Sequence, residues 1–175
     1  LPTAIREKID PDGRLRLALF QPDIPQNAGT LIRLSACFGL GVDVIEPCGF
    51  VFDDRKLKRA GMDYLNQTQI TRYDSWPSFL TSLTTTGRRL VLFSTGGECR
   101  HDRFAFAPGD TLMVGRESSG VPPEVAAAAA ARLRIPMVAG VRSLNVAVAA
   151  AIGLAEALRC LDAFPDDRVS EEVPA

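Results

Sequence analysis

LRLALFQPDIPQNAGTLIRLSACFG, residues 15–39, is the stretch that decides the fold. Its first six residues, LRLALF, alternate and are apolar enough for a buried strand. Pro22 and Pro25 make 21–26 a loop. Asn27 can cap a helix whose apolar positions Leu31, Leu34 and Phe38 recur at helical spacing, and Gly39 ends it. A strand, a loop and a helix thus follow one another within one short span.

The same alternation continues outward. Residues 42–45 read as a second strand, closed by Pro47. Asp53 or Asp54 opens a short basic helix that runs to Ala60 and stops at Gly61. Residues 67–73 read as a strand, and Ser75 caps a helix with Pro77 in its first turn. Strands follow at 89–94 (RLVLFS) and 111–114. A helix over 123–131, a strand over 132–135 and a long Ala-rich helix from Asn145 to about Ala163 complete the chain. This order predicts an α/β domain with a mainly parallel sheet flanked by helices. The domain is expected over residues 15–163, between an N-terminal extension (1–14) and a tail (164–175). The tail carries Asp166, Asp167, Glu171 and Glu172, a composition that predicts disorder.

Composition narrows the classes. With 46% hydrophobic and 23% charged residues among 175, the chain has the balance of a water-soluble globular domain. No segment approaches the roughly 20 apolar residues that span a bilayer, and residues 1–13 hold no apolar signal-peptide core. The four cysteines (37, 48, 99, 160) form no CxxC pair. The expectation is therefore reduced thiols in a cytoplasm, with neither disulfides nor a metal site. A net charge of −1 restricts any nucleic-acid contact to a local patch. Arg55, Lys56, Lys58 and Arg59 are the candidates; the alternative is a solvated helix face balanced by Asp53 and Asp54.

In parallel sheets ligands sit beyond the carboxyl ends of strands, so the loops at 21–27, 115–122 and 136–145 are where chemistry is expected. In the first, Arg33 offers a planar, permanently charged fork suited to phosphate; the plain alternative is a helix cap and a solvated arginine. In the second, VGRESSGVP, Gly115 lets backbone approach a ligand closely and Glu117 can orient a polar group. It is neither GxGxxG nor a Walker loop, which argues against a dinucleotide or nucleotide-phosphate site. In the third, Arg142, Ser143 and Asn145 precede a very apolar helix, where N-capping is the alternative reading. His101, in the polar run ECRHDR, reads as an exposed loop residue.

In this order, PQNAGTLIRL, GRESSGVP and IPM…RSLNVAVAAAI resemble the three motifs of the SPOUT superfamily of RNA 2′-O-methyltransferases. The segment IEPCGFVFDDRKLKRAGMDY resembles a narrower subgroup, the bacterial tRNA wobble-nucleotide (cytidine/uridine) 2′-O-methyltransferases. The resemblance runs from about Leu15 to Leu161. It implies a C-terminal trefoil knot, which connection rules alone would not select. It also implies S-adenosylmethionine as cofactor, no metal, a tRNA partner and a homodimer with its active site near the interface.

Position by position, the resemblance implies cofactor contacts at Phe93, Gly115, Ile135 and Ser143, and activity at Arg33, Glu117 and Asn145. RNA contact is expected, on charge and position, at Asn27, Arg33, Arg55, Lys56, Lys58, Arg59 and Arg142. Guanidinium stays protonated, with a pKa above about 12, so Arg33 is expected to bind phosphate and stabilise a developing alkoxide rather than take a proton. The chain departs from the subgroup at Ala155, where tyrosine is common, and at Ala147, where serine is common. Two other readings stand beside this one. An rRNA ribose methyltransferase often carries an additional N-terminal RNA-binding domain, for which these residues leave no room. A non-catalytic RNA-binding or assembly factor is opposed by the intact Arg33, Glu117, Ser143 and Asn145.

Overall fold

The computed structural model describes residues 13–51 and 68–166. The basic run Arg55, Lys56, Lys58 and Arg59 lies outside the described residues, as do most of the N-terminal extension and the tail from residue 167. The described part begins with β1 (Arg16–Phe20), α1 (Pro25–Cys37) and β2 (Gly41–Ile45). After the break come β3 (Ile70–Tyr73), α2 (Trp76–Thr86), β4 (Leu90–Phe93) and a two-residue β5 (Cys99–Arg100). The chain then forms β6 (Thr111–Val114), α3 (Pro123–Ala128), β7 (Ala131–Arg134) and α4 (Val146–Leu161).

The seven strands form one sheet in the order β3-β2-β1-β6-β4-β7-β5, and every pairing is parallel. Side chains alternate between its faces, as the pleat requires. Leu17, Leu19, Val91, Phe93, Leu112 and Val114 point to one face, where α1 brings Leu31 and Ile32 and α4 brings Ala150, Leu154 and Leu158. Ala18, Phe20, Leu90, Leu92 and Met113 point to the other, against Phe79 and Leu83 of α2 and Val125 of α3. Both faces are covered, so the strands read as nearly continuous apolar runs.

The amino ends of the strands are clamped by charge. The Arg16 guanidinium donates to both Asp43 carboxylate oxygens, at 2.9 and 2.7 Å, across β1 and β2. Arg89 grips Asp110 in the same bidentate way, at 2.7 and 2.7 Å, beside β4 and β6. These pairs leave the carboxyl ends to the loops.

Strand β7 is inserted between β4 and β5, two strands that are neighbours in sequence. The crossover at 94–98 therefore lies against β7: Ser94 N donates to Leu133 O at 2.9 Å, and Arg134 donates to the Gly97 carbonyl at 2.9 Å. Gly97 has no space for a side chain, since a Cβ there would fall 2.4 Å from the Leu133 carbonyl carbon. This insertion, with loops crowding the carboxyl ends of β4, β6 and β7, matches the α/β-knot architecture that the motif order implies.

Three expectations need correction. Helix α1 begins at Pro25, with Ile24 as an extended cap residue and no side-chain cap. Pro25 is preorganised for the first turn, which leaves Asn27 inside the helix with its amide free for other partners. The helix expected to reach residue 131 ends at Ala128, because Ala130 N donates to Leu90 O at 2.9 Å and the chain is drawn into the sheet. His101 is half-buried in a single 3-10 turn, not on an exposed loop, and its buried Nδ1 has no hydrogen-bond partner among the described residues. Where the expected tail begins, the Phe164 ring sits edge-on to Phe38, centroids 5.7 Å apart.

Candidate active site

A cavity of about 430 Å3 opens at the carboxyl ends of β4, β6 and β7. That volume is in the range of small-molecule sites. Leu92 and Phe93, Val114, and Leu133 supply apolar walls from the three strands, with Ile135 just beyond β7. Ser94, Thr95, Ser143, Asn145, Asn27 and Glu117 add polar groups from the surrounding loops. Apolar walls with a few convergent polar groups suit a flat heterocycle carrying a polar tail, so the donor set fits a nucleoside-sized ligand.

The second loop is shaped by a close backbone approach. Arg116 and Gly120 exchange both backbone hydrogen bonds at 2.9 Å, pinching residues 116–120 into a tight turn. A Cβ at Gly115 would lie 2.7 Å from the Gly120 carbonyl carbon, and Gly120 itself has φ +68°. Only glycine satisfies both demands at low cost. Phe93 is seated in a similar way: a Cβ at Gly153 would come within 2.3 Å of the ring, so the bare helix backbone of α4 makes room for it.

Three of the residues implied for the site form a hydrogen-bonded chain. Glu117 Oε1 accepts from Asn27 Nδ2 at 3.2 Å, and Asn27 Oδ1 accepts from Asn145 Nδ2 at 3.0 Å. Asn145 also caps α4, its Oδ1 accepting from Ala147 N at 2.8 Å and Val148 N at 3.4 Å. Asn145 is therefore both the cap of α4 and a link to Asn27. Phe93, Gly115, Glu117, Ile135, Ser143, Asn145 and Asn27 all line the cavity. Arg33, exposed on α1, and Arg142, exposed in the third loop, do not. Among the described residues no group of His, Cys, Asp and Glu is arranged to hold a metal ion, and no helix is long and apolar enough to cross a membrane.

Asp23 was not among the residues singled out in the sequence. Its N–H donates to Glu117 Oε2 at 3.0 Å, its Oδ1 accepts from Glu117 N at 3.2 Å, and its Oδ2 accepts from the Ser118 hydroxyl. Hydrogen bonding with the Glu117 and Ser118 side chains holds its carboxyl down to about 2, against the opposing effect of burial. Asp23 sits in a proline-bounded loop, and no spacing rule couples it to a partner 94 positions away.

The chain matches the model of the SpoU rRNA Methylase family over residues 14–155. A protein of Beijerinckia indica named tRNA (cytidine(34)-2'-O)-methyltransferase is 54% identical over 148 residues, covering 85% of this chain and 92% of the relative. The Escherichia coli K12 protein of the same name is 39% identical over 149 residues, covering 84% and 94%. A solved structure described as "Structural insights into the 2-OH methylation of C/U34 on tRNA" superposes with a TM-score of 0.79 at 44% identity, covering 85% of this chain and 97% of that one. The AviRb methyltransferase of Streptomyces viridochromogenes, solved with AdoMet, gives 0.76 at 26% identity, covering 86% and 64%. The matched segment takes in the cavity and all but the last turn and a half of α4, and on that ground the chain belongs to the SpoU rRNA Methylase family.

Proposed function

We propose that the chain moves a methyl group from S-adenosylmethionine to the ribose 2′-hydroxyl of the wobble nucleotide, a cytidine or modified uridine, in a tRNA anticodon. The observation that carries this reading is the Asn145–Asn27–Glu117 chain on the wall of a nucleoside-sized cavity. The choice of tRNA is supported by the relatives that match nearly end to end, which are named for that substrate.

When bound, S-adenosylmethionine supplies a methyl group on a sulfonium, electrophilic without a metal. The apolar walls at Phe93 and Ile135 would hold its ring, with Gly115 and Ser143 offering backbone and hydroxyl partners. Asn145, oriented by Asn27, fixes one wall of the entrance. Holding two reactants in line is the main contribution required here, of order 7 kcal/mol in the best cases. The ribose hydroxyl must lose its proton as the new bond forms; water or a substrate phosphate accepts it. Arg33 binds the adjacent phosphate and stabilises the developing oxyanion. Asn27 and Arg142 meet RNA at the rim, with Arg55, Lys56, Lys58 and Arg59 adding salt-sensitive phosphate contacts.

The protein acts as a homodimer in the cytoplasm. The third loop and the start of α4 leave Val138, Val141 and Val148 exposed at 77, 53 and 48%, an apolar apron that a second copy covers. Arg33 stands outside the cavity of its own chain, and on this reading it serves the cavity across that interface. Incubation with tritiated S-adenosylmethionine and total tRNA, followed by mapping of the labelled ribose, tests the whole reading. Label at the wobble 2′-oxygen is expected. Label only in rRNA, or none, overturns it.

A further inference from the structure

We infer that Asp23 is a positioning residue for methyl transfer, acting as the post on which Glu117 is set; this rests on the methyl-transfer reading above. Asp23 and Glu117 grip each other twice, each backbone N–H donating to the other's carboxylate. The arrangement works like a capping box, except that the partners stand 94 positions apart and join two loops. Ser118 adds a third bond to the same carboxylate, and Arg116 Nε stands 3.8 Å from it.

The consequence reaches the reacting centre step by step. Glu117 Oε2 is taken by the Asp23 amide, so Oε1 is the oxygen turned to Asn27 Nδ2. That fixes which end of the Asn27 amide faces Glu117 and leaves its oxygen to Asn145. The direction of Asn145 Nδ2 is therefore set from Asp23. Asp23 is itself held from behind. Gly49 N donates to Pro22 O at 2.9 Å, and a Cβ at Gly49 would lie 2.6 Å from the Asp23 Cβ. A packed backbone on one side and three hydrogen bonds on the other make a rigid support, which a site of this kind requires.

The test is a double-variant cycle on the full chain, with kcat, KM for S-adenosylmethionine and melting temperature measured for each variant. Asp23→Ala should lower kcat by of order 100-fold, the cost of a misplaced group, with KM for the cofactor within about twofold, because the apolar walls at Phe93 and Ile135 come from β4 and the loop after β7. Asp23→Asn keeps an oxygen for Glu117 N and should recover kcat to within about threefold. Adding Asp23→Ala to Glu117→Ala should cost no more than about twofold further, since the two act through one chain. Wild-type kcat in Asp23→Ala overturns the inference, as does a loss that multiplies with that of Glu117→Ala. So does a rise in cofactor KM with kcat intact. Should Asp23→Ala not fold, Asp23→Asn decides alone: near-wild-type kcat supports positioning, and a loss of order 100-fold overturns it. A wild-type enzyme without activity on tRNA would instead sink the functional reading.

Discussion

Asn145 Nδ2 donates to Asn27 Oδ1 at 3.0 Å, tying the start of the last helix to the first turn of α1 across 118 positions. The same side chain caps its own helix through the other end of its amide. Asn145→Asp separates the two tasks. Aspartate remains a good cap, so the melting temperature should stay within about 2 °C. It cannot donate to Asn27, so kcat for methyl transfer should fall by at least about tenfold. A circular-dichroism melt and a radiolabel assay on one preparation check both halves.

Gly153 decides how Phe93 lies in the cavity wall. Gly153→Ala would place a Cβ 2.3 to 2.8 Å from three ring atoms, forcing the ring to swing. Overpacking of this kind costs about 1–3 kcal/mol. Isothermal titration should show S-adenosylmethionine binding weakened by about tenfold or more, since each tenfold is about 1.4 kcal/mol. Unchanged affinity would mean that Phe93 does not face the cofactor.

The carboxyl of Asp23 is held down to about 2, below its ordinary 3.8, by the Glu117 and Ser118 side chains, with the Arg116 charge as a smaller contribution. A depressed carboxyl contributes stability that is complete above the unfolded value and lost as pH falls through the folded one. The contribution of the latch should therefore be intact at neutral pH and disappear between about pH 4 and pH 2. Asp23→Asn should flatten the acid limb of the stability profile within that window and leave its slope above pH 5 unchanged. Urea melts at stepped pH would read this directly.

At the opposite end of the sheet, Asp43 is buried with Arg16 as its bidentate partner, their side chains 4% and 11% exposed. Asp43→Ala would take the carboxylate from the guanidinium, which also donates to Gln69 Oε1 and Thr71 Oγ1. Removing one member of a buried pair costs about 3–5 kcal/mol, so denaturant unfolding should show a loss of that order. The lesion is remote from the cavity, and kcat of the protein that remains folded should match wild type.

Arg33 and Asn145 offer a test of the proposed dimer. A heterodimer of one Arg33→Ala subunit and one Asn145→Ala subunit, isolated through two different tags, should retain about half of the wild-type sites if Arg33 serves the opposite cavity. If Arg33 serves its own cavity, both sites of that heterodimer are damaged and activity stays at the level of the single variants.

Most of the fold was legible because strands and helices write their burial into local periodicity. Residues 111–114 read as a strand and are one, and Ser75 caps α2 as its spacing indicates, accepting from Ser78 N. The two-residue β5 was not legible, since two residues carry no period. The end of α3 was not legible either: an alanine run favours helix everywhere, and only the neighbouring Leu90 carbonyl draws Ala130 into the sheet.

By itself, then, the sequence determined the α/β layering, the three loops that border the cavity and the glycines that shape them, because these depend on side-chain period and local backbone freedom. Only the tertiary structure decided that Asn27 is a link rather than a cap, that Asp23 is the post beneath Glu117, and that Arg33 lies outside its own cavity. The physical reason is reach. A hydrogen bond acts over about 3 Å whatever the separation along the chain, and separations of 94 and 118 positions leave no trace in any local pattern.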